Sequence, residues 1–186
     1  MKKLIAAVGL AWALSACTYL KTLSPADLAA LHSPPPDVIA KVDNLSAKAL
    51  AFMEQVETTY WRRGRPLSEA ELRFARSIGI KNTSGIRIVV LEDLPMPDDP
   101  DLRKAAQSYG MGSWLEGART LGSVIFLKPR YASSDEVVSH ELVHVAQFER
   151  LGRERMIRRY ILELELVGHL RSPLENEAYG QQRAKL

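Results

Sequence analysis

The chain has 186 residues, 46% hydrophobic and 25% charged, the proportions of one globular domain with a sizeable core, which excludes a fibrous or wholly disordered polypeptide. Most of its formal charge of +3 belongs to the N-terminus: without residues 1–16, which carry Lys2 and Lys3, 23 basic side chains face 22 acidic ones, and a nucleic-acid partner has no electrostatic basis. Cys17 is the only cysteine, so the folded domain has neither an internal disulfide nor a thiolate for a metal.

Met1-Lys2-Lys3 followed by the apolar stretch Leu4–Leu14 reads as a signal peptide, too short to span a bilayer comfortably. It ends in Leu14-Ser15-Ala16-Cys17, which resembles the lipobox of bacterial lipoproteins. That resemblance implies cleavage before Cys17, lipidation of its sulfur and anchorage to a membrane. Thr18 is not the aspartate associated with inner-membrane retention, so the expected location is the outer membrane, facing the periplasm. Residues 17–36 contain Ser24-Pro25 and Ser33-Pro34-Pro35-Pro36 and predict an extended tether, with His32 a solvated linker residue.

Val38, Val42, Leu45, Ala49, Phe52, Met53 and Val56 recur at helical spacing and predict a long amphipathic helix over 37–60, ended by Gly64 and Pro66. Ser68 with Glu71 forms a capping box for a short helix to Ser77. The β-branched run 85–91 predicts a strand, residues 95–100 a loop, and 101–108 a short helix. Gly110, Gly112, Gly117 and Gly122 space a loop around Trp114, and 123–127 is a second strand closed by Pro129.

The run from Ser139 to Gln147 holds His140-Glu141-x-x-His144 among Val137, Val138, Leu142, Val143 and Val145. From this composition, roughly 0.006 such matches arise by chance. On a helix His140 and His144 lie one above the other and can share one metal ion, while Glu141, rotated about 100° away, can reach a water beside that ion. Gly152 breaks the chain, and Met156, Ile157, Tyr160, Ile161, Leu164 and Val167 define a further helix. The clustered Arg150, Arg153, Arg155, Arg158 and Arg159 alternate with Glu149 and Glu154 as a solvated face. Ser172, Pro173 and Glu175 form a capping box that opens a last helix.

Catalytic zinc usually takes three protein ligands and keeps one position open. Over roughly residues 120–180 the chain resembles the gluzincin group of zinc metallopeptidases. In that group a glutamate on a later helix, often followed by alanine, completes the site, which points to Glu177-Ala178; the 33 positions from His144 to Glu177 exceed the usual interval. Glu175, whose capping role already accounts for it, and His169 are the competing ligands. The resemblance implies a mainly helical α+β domain over 37–186, with a small sheet whose edge strand precedes the motif helix, an edge to which an extended peptide can be added. The strand at 123–127 is the expected edge.

The implied activity is zinc-dependent hydrolysis of peptide bonds in the cell envelope, with Glu141 as the base and His140, His144 and Glu177 as ligands. A further donor could come from Tyr160, Tyr179 or His169. The alternative is a non-catalytic lipoprotein that keeps the scaffold as a binding or assembly module, although an intact Glu141 has no purely structural job.

Overall fold

The computed structural model describes residues 22–186; the leader and Cys17 lie outside the described residues. Ten elements follow in chain order: α1 (Pro25–His32), α2 (Pro36–Tyr60), α3 (Glu69–Ser77), β1 (Arg87–Val90), α4 (Pro100–Ser108), β2 (Ala118–Leu121), β3 (Val124–Leu127), α5 (Asp135–Leu151), α6 (Arg153–Leu166) and α7 (Pro173–Gln181). They make an α+β domain, mainly helical, around one three-stranded sheet.

The first correction falls on the expected tether. Ser24 caps α1 through its side chain, Asp27 returns a bond to the Ser24 amide, and Pro25 takes the first turn, where its missing N–H costs nothing. The prolines at 34–36 separate two helices instead of extending a linker, because Pro36 opens α2 in the same way. The helix α1 packs against α6, and Asp27 lies 3.5 Å from Arg171.

Strand order is β1-β3-β2, with β1 parallel and β2 antiparallel to β3. Alternation divides the sheet's residues between two layers. Ile88, Ile125 and Leu127 pack with Leu142, Val143 and Phe74 of α5 and α3, while Val89, Val124 and Phe126 pack with Val56 of α2. The central strand β3 is buried on both faces, which is why it reads as an unbroken apolar run.

The second correction concerns the edge. The strand at 123–127 is central, and the edge strand before α5 is β2, from a segment expected to be loop. Gly122, at φ 63°, and Ser123 make the two-residue turn that folds β2 onto β3. Glu57 of α2 accepts from both the amide and the hydroxyl of Ser123, which fixes the turn against the helix. Leu121 pairs with Val124, and the Lys128 amide donates to the Gly117 carbonyl. Hydrogen-bonded pairs alternate in such a ladder, so the backbone groups of Ala118 and Thr120 face the open edge. The opposite edge, at β1, is partly covered by a bridge from Arg65 to Ile88.

Candidate metal centre

The helix α5 starts at Ser134, whose side chain accepts from the Val137 amide, and runs for 17 residues through the core. One face of it carries His140, Glu141 and His144 into a cavity of about 680 Å³ that Tyr160, His169 and Glu175 also line. The two imidazoles approach with their Nε2 atoms 3.2 Å apart. The carboxylate of Glu175 straddles them, with Oε2 3.3 Å from His140 Nε2 and Oε1 3.5 Å from His144 Nε2.

Glu175, not Glu177, therefore completes the trio, for reasons that lie in the neighbouring helices. The Ser172 amide donates to the His169 carbonyl within the turn that precedes α7. Buried Glu163 of α6 accepts from the Ser172 hydroxyl and the Leu174 amide, and the Ser172 hydroxyl accepts from the Glu175 amide. The helix start is thus satisfied without the Glu175 carboxylate, which is free to enter the cavity. Glu177 has its own cation: Arg150 of α5 holds both its oxygens at 2.7 Å, and the Arg150 guanidinium keeps its carboxyl below the usual range.

The histidine tautomers follow by elimination. The Gln147 amide nitrogen donates to the Leu174 carbonyl and to Glu177, both acceptors only, so its oxygen faces His144 Nδ1 at 2.8 Å and Nδ1 must carry the proton. Gln182 repeats the arrangement, donating to Glu136 and presenting its oxygen to His140 Nδ1 at 3.2 Å. In both imidazoles the metal-binding lone pair of the neutral ring is then on Nε2, and the two Nε2 atoms point at each other and at a carboxylate. Such a cluster requires a cation, either a proton or a metal.

Burial resists charge on His144, but Glu175 outweighs it and pushes the imidazole up to about 9. Burial likewise opposes ionisation of Glu175, yet His144 and His140 hold its carboxyl well below the ordinary range. Tyr160 donates to Glu175 Oε1 at 2.7 Å; burial and that carboxylate push its phenol well above its usual value, so it remains a donor. Glu175 Oε2 is buried without a hydrogen bond.

These facts test the fit of a metal. A tetrahedral ion with bonds of about 2.0–2.1 Å spaces its ligand atoms about 3.3–3.4 Å apart. The 3.2 Å between the two Nε2 atoms matches that edge, and one ligand atom from each of His140, His144 and Glu175 lies within 4.8 Å of the others. Two imidazoles and a carboxylate suit zinc, and the orphaned Oε2 supplies an unspent acceptor.

A scan against protein families finds no match, and neither a curated protein nor a solved structure matches the chain.

Among the residues expected from sequence, Glu141 lines the same cavity and accepts from the Thr120 hydroxyl of β2 at 2.7 Å. His169, the other competing ligand, stands 3.3 Å from Glu175 Oε2 on the turn before α7, and Tyr179 packs edge-on against His140 at 4.6 Å between ring centres. Sequence reasoning missed Gln147, Gln182 and Thr120. Gln147 had a local signal, three positions beyond His144 on the motif helix; Gln182 and Thr120 reach the site only through the tertiary fold.

Proposed function

We propose that this chain is a zinc-dependent metallopeptidase of the bacterial cell envelope, held at the membrane by lipid on Cys17, with His140, His144 and Glu175 as ligands and Glu141 as the base. The observation that carries this reading is the convergence of His140, His144 and Glu175, whose ligand atoms lie within 4.8 Å of one another, with Glu141 in the same cavity. Zinc held there supplies, when bound, a Lewis acid that polarises a substrate carbonyl and acidifies water.

The chain's own residues do the rest. Glu141 takes a proton from the attacking water and delivers it to the leaving nitrogen, and Thr120 fixes one of its oxygens so that the other stays available. Ala118 and Thr120 offer backbone groups to an extended peptide, which would lie along the open edge of β2 beside Glu141. Gln147 and Gln182 hold the imidazoles in the ligating tautomer. Tyr160, in the cavity wall, donates to Glu175 Oε1 and keeps that carboxylate in place.

Glu141→Gln tests the reading. The variant should bind one zinc per chain, as the parent does, and lose peptide hydrolysis by about 10²–10⁴-fold, the usual contribution of a general base. Equal turnover by parent and variant on the same peptide library would rule out the assigned base.

A further inference from the structure

The loop between α4 and β2 carries two exposed apolar side chains at its tip. Trp114 is 77% exposed and Leu115 67%. Leu115 lines the mouth of the cavity, while Trp114 lies outside the cavity wall, so the cleft supplies nothing to cover it. The loop is firmly held. Its Gly112 amide donates to Glu116, the Arg119 guanidinium binds both oxygens of that carboxylate, and Gly117 abuts the Tyr131 ring too closely for a side chain. A tip fixed in this way keeps its tryptophan in water unless something outside the fold covers it.

Two cations stand directly behind the tip. Lys128 donates to the Ser113 carbonyl at 3.1 Å and Arg130 to the Trp114 carbonyl at 2.7 Å. Among the described residues no carboxylate forms an ion pair with either, and Glu116, the only acidic residue from 109 to 117, is taken by Arg119. Carbonyls of the tip are thus capped from inside, and its surplus charge is positive. An apolar point backed by cations suits a layer that is anionic at its surface and hydrocarbon beneath. A protein partner is less well served. Counted at about 250 Å² each, the upper figure for a large aromatic, Trp114 and Leu115 expose under roughly 400 Å² together, half of the ~800 Å² that each partner buries in a stable interface.

We propose that Trp114 and Leu115 insert into the surface of an anionic phospholipid bilayer, with Lys128 and Arg130 against its headgroups, and that this docking turns the mouth of the cavity to the lipid. Leu170, 44% exposed at the same mouth, precedes Arg171, which lies 3.5 Å from Asp27 of α1. On the lipoprotein reading the positions from Cys17 to Pro25 give at most roughly 28 Å of chain, so a lipid on Cys17 holds the molecule close to that mouth. The tip itself needs no such lipid.

The test uses the full chain with Trp12→Phe, which leaves Trp61 and Trp114 as the fluorophores. It is mixed with vesicles of one part phosphatidylglycerol to two parts phosphatidylcholine, brominated on the acyl chains near the headgroup, where bromine quenches an inserted indole. Most of the emission that Trp114→Phe removes should be quenched, and that of Trp61 should not; Trp61→Phe reads Trp114 directly if Trp114→Phe does not fold. Lys128→Gln and Arg130→Gln, which keep a donor for the two carbonyls, should each lower insertion about fivefold, the value of one cation at an anionic surface, and phosphatidylcholine alone should lower it further. An unquenched Trp114, or quenching indifferent to both cation variants and to phosphatidylglycerol, overturns the proposal. So does a Trp114 that is shielded in native membranes yet unquenched in pure lipid, which would indicate a protein partner. Cys17→Ser separates the tip from the anchor: quenching that survives it belongs to the tip, whereas quenching lost at every vesicle concentration overturns the proposal and leaves the lipoprotein reading intact.

Discussion

Glu175 and Glu177 lie two residues apart on one helix and have opposite surroundings. Glu175 is 2% exposed among three histidines and a tyrosine; Glu177 is partly exposed, gripped by a guanidinium that itself stands largely in water. A carboxylate buried this completely demands a cation nearby, and histidine provides one only by holding a proton or a metal. Arginine at position 150 supplies a permanent charge, so Glu177 needs nothing further. The carboxylate with the weaker built-in partner is the one suited to an exchangeable ion.

The largest effect expected from this contrast is on metal content. Glu175→Gln should bring zinc from about one ion per chain toward none, because a neutral amide cannot balance a divalent ion between two imidazoles. Glu177→Gln should leave the stoichiometry at one. Elemental analysis of both purified variants checks it, and a fully loaded Glu175→Gln beside an empty Glu177→Gln would reverse the assignment.

The second expected effect is a difference in pH behaviour. Without metal, His144 has a folded value of about 9 against an ordinary 6.5, so the stability it contributes is complete below about 6.5 and is lost as pH rises through 9. The carboxyls of Glu175 and Glu177 are both depressed, so each contributes above about 4.5 and loses that contribution as pH falls through its lowered folded value. Only the Glu175 cluster therefore has an alkaline limb. Zinc must expel the proton on His144, and its affinity should rise about tenfold per pH unit between 6.5 and 9. Calorimetry in buffers of different ionisation enthalpy should count about one proton released per zinc at pH 7.5; no proton release would mean that the metal-free cluster is held by something else.

The helices from α2 onward, the central strand and the motif were legible because their signals are local: periodicity, capping residues and an unbroken apolar run; α1 was not, because its prolines read as an extended tether. The edge strand β2 was not, since four residues between Gly117 and Gly122 resemble a glycine-spaced loop until β3 and Glu57 hold them. The glutamate that meets the two histidines was misplaced for the same kind of reason. The capping-box argument gave the Glu175 carboxylate a partner in the Ser172 amide, but the preceding turn takes that amide, and Glu163, nine residues before Ser172, secures the helix start. Glu177, meanwhile, is held by Arg150 of α5, a partner that no local pattern reveals. Local rules identified both glutamates and could not rank them, because the ranking depends on the packing of α5, α6 and α7.

Gln147 joins the two regions and gives the finest test of how separate they are. It is fully buried, donates to Glu177 and to the Leu174 carbonyl, and accepts from His144. Gln147→Leu keeps much of the volume but leaves the His144 Nδ1–H and the Leu174 carbonyl without partners, and frees the ring to turn. Zinc affinity should fall about 10–100-fold, the usual cost of losing a group that orients a ligating histidine. Gln147→Glu discriminates orientation from packing: its carboxylate still accepts from Nδ1, but it faces Glu177 and the Leu174 carbonyl with no donor and should recover only part of the affinity. Pairing it with Glu177→Gln, which restores a donor on the other side, should recover more than Gln147→Glu alone. Chelator competition on the four proteins measures this coupling, and strict additivity would show that Glu177 and the metal centre do not communicate through Gln147.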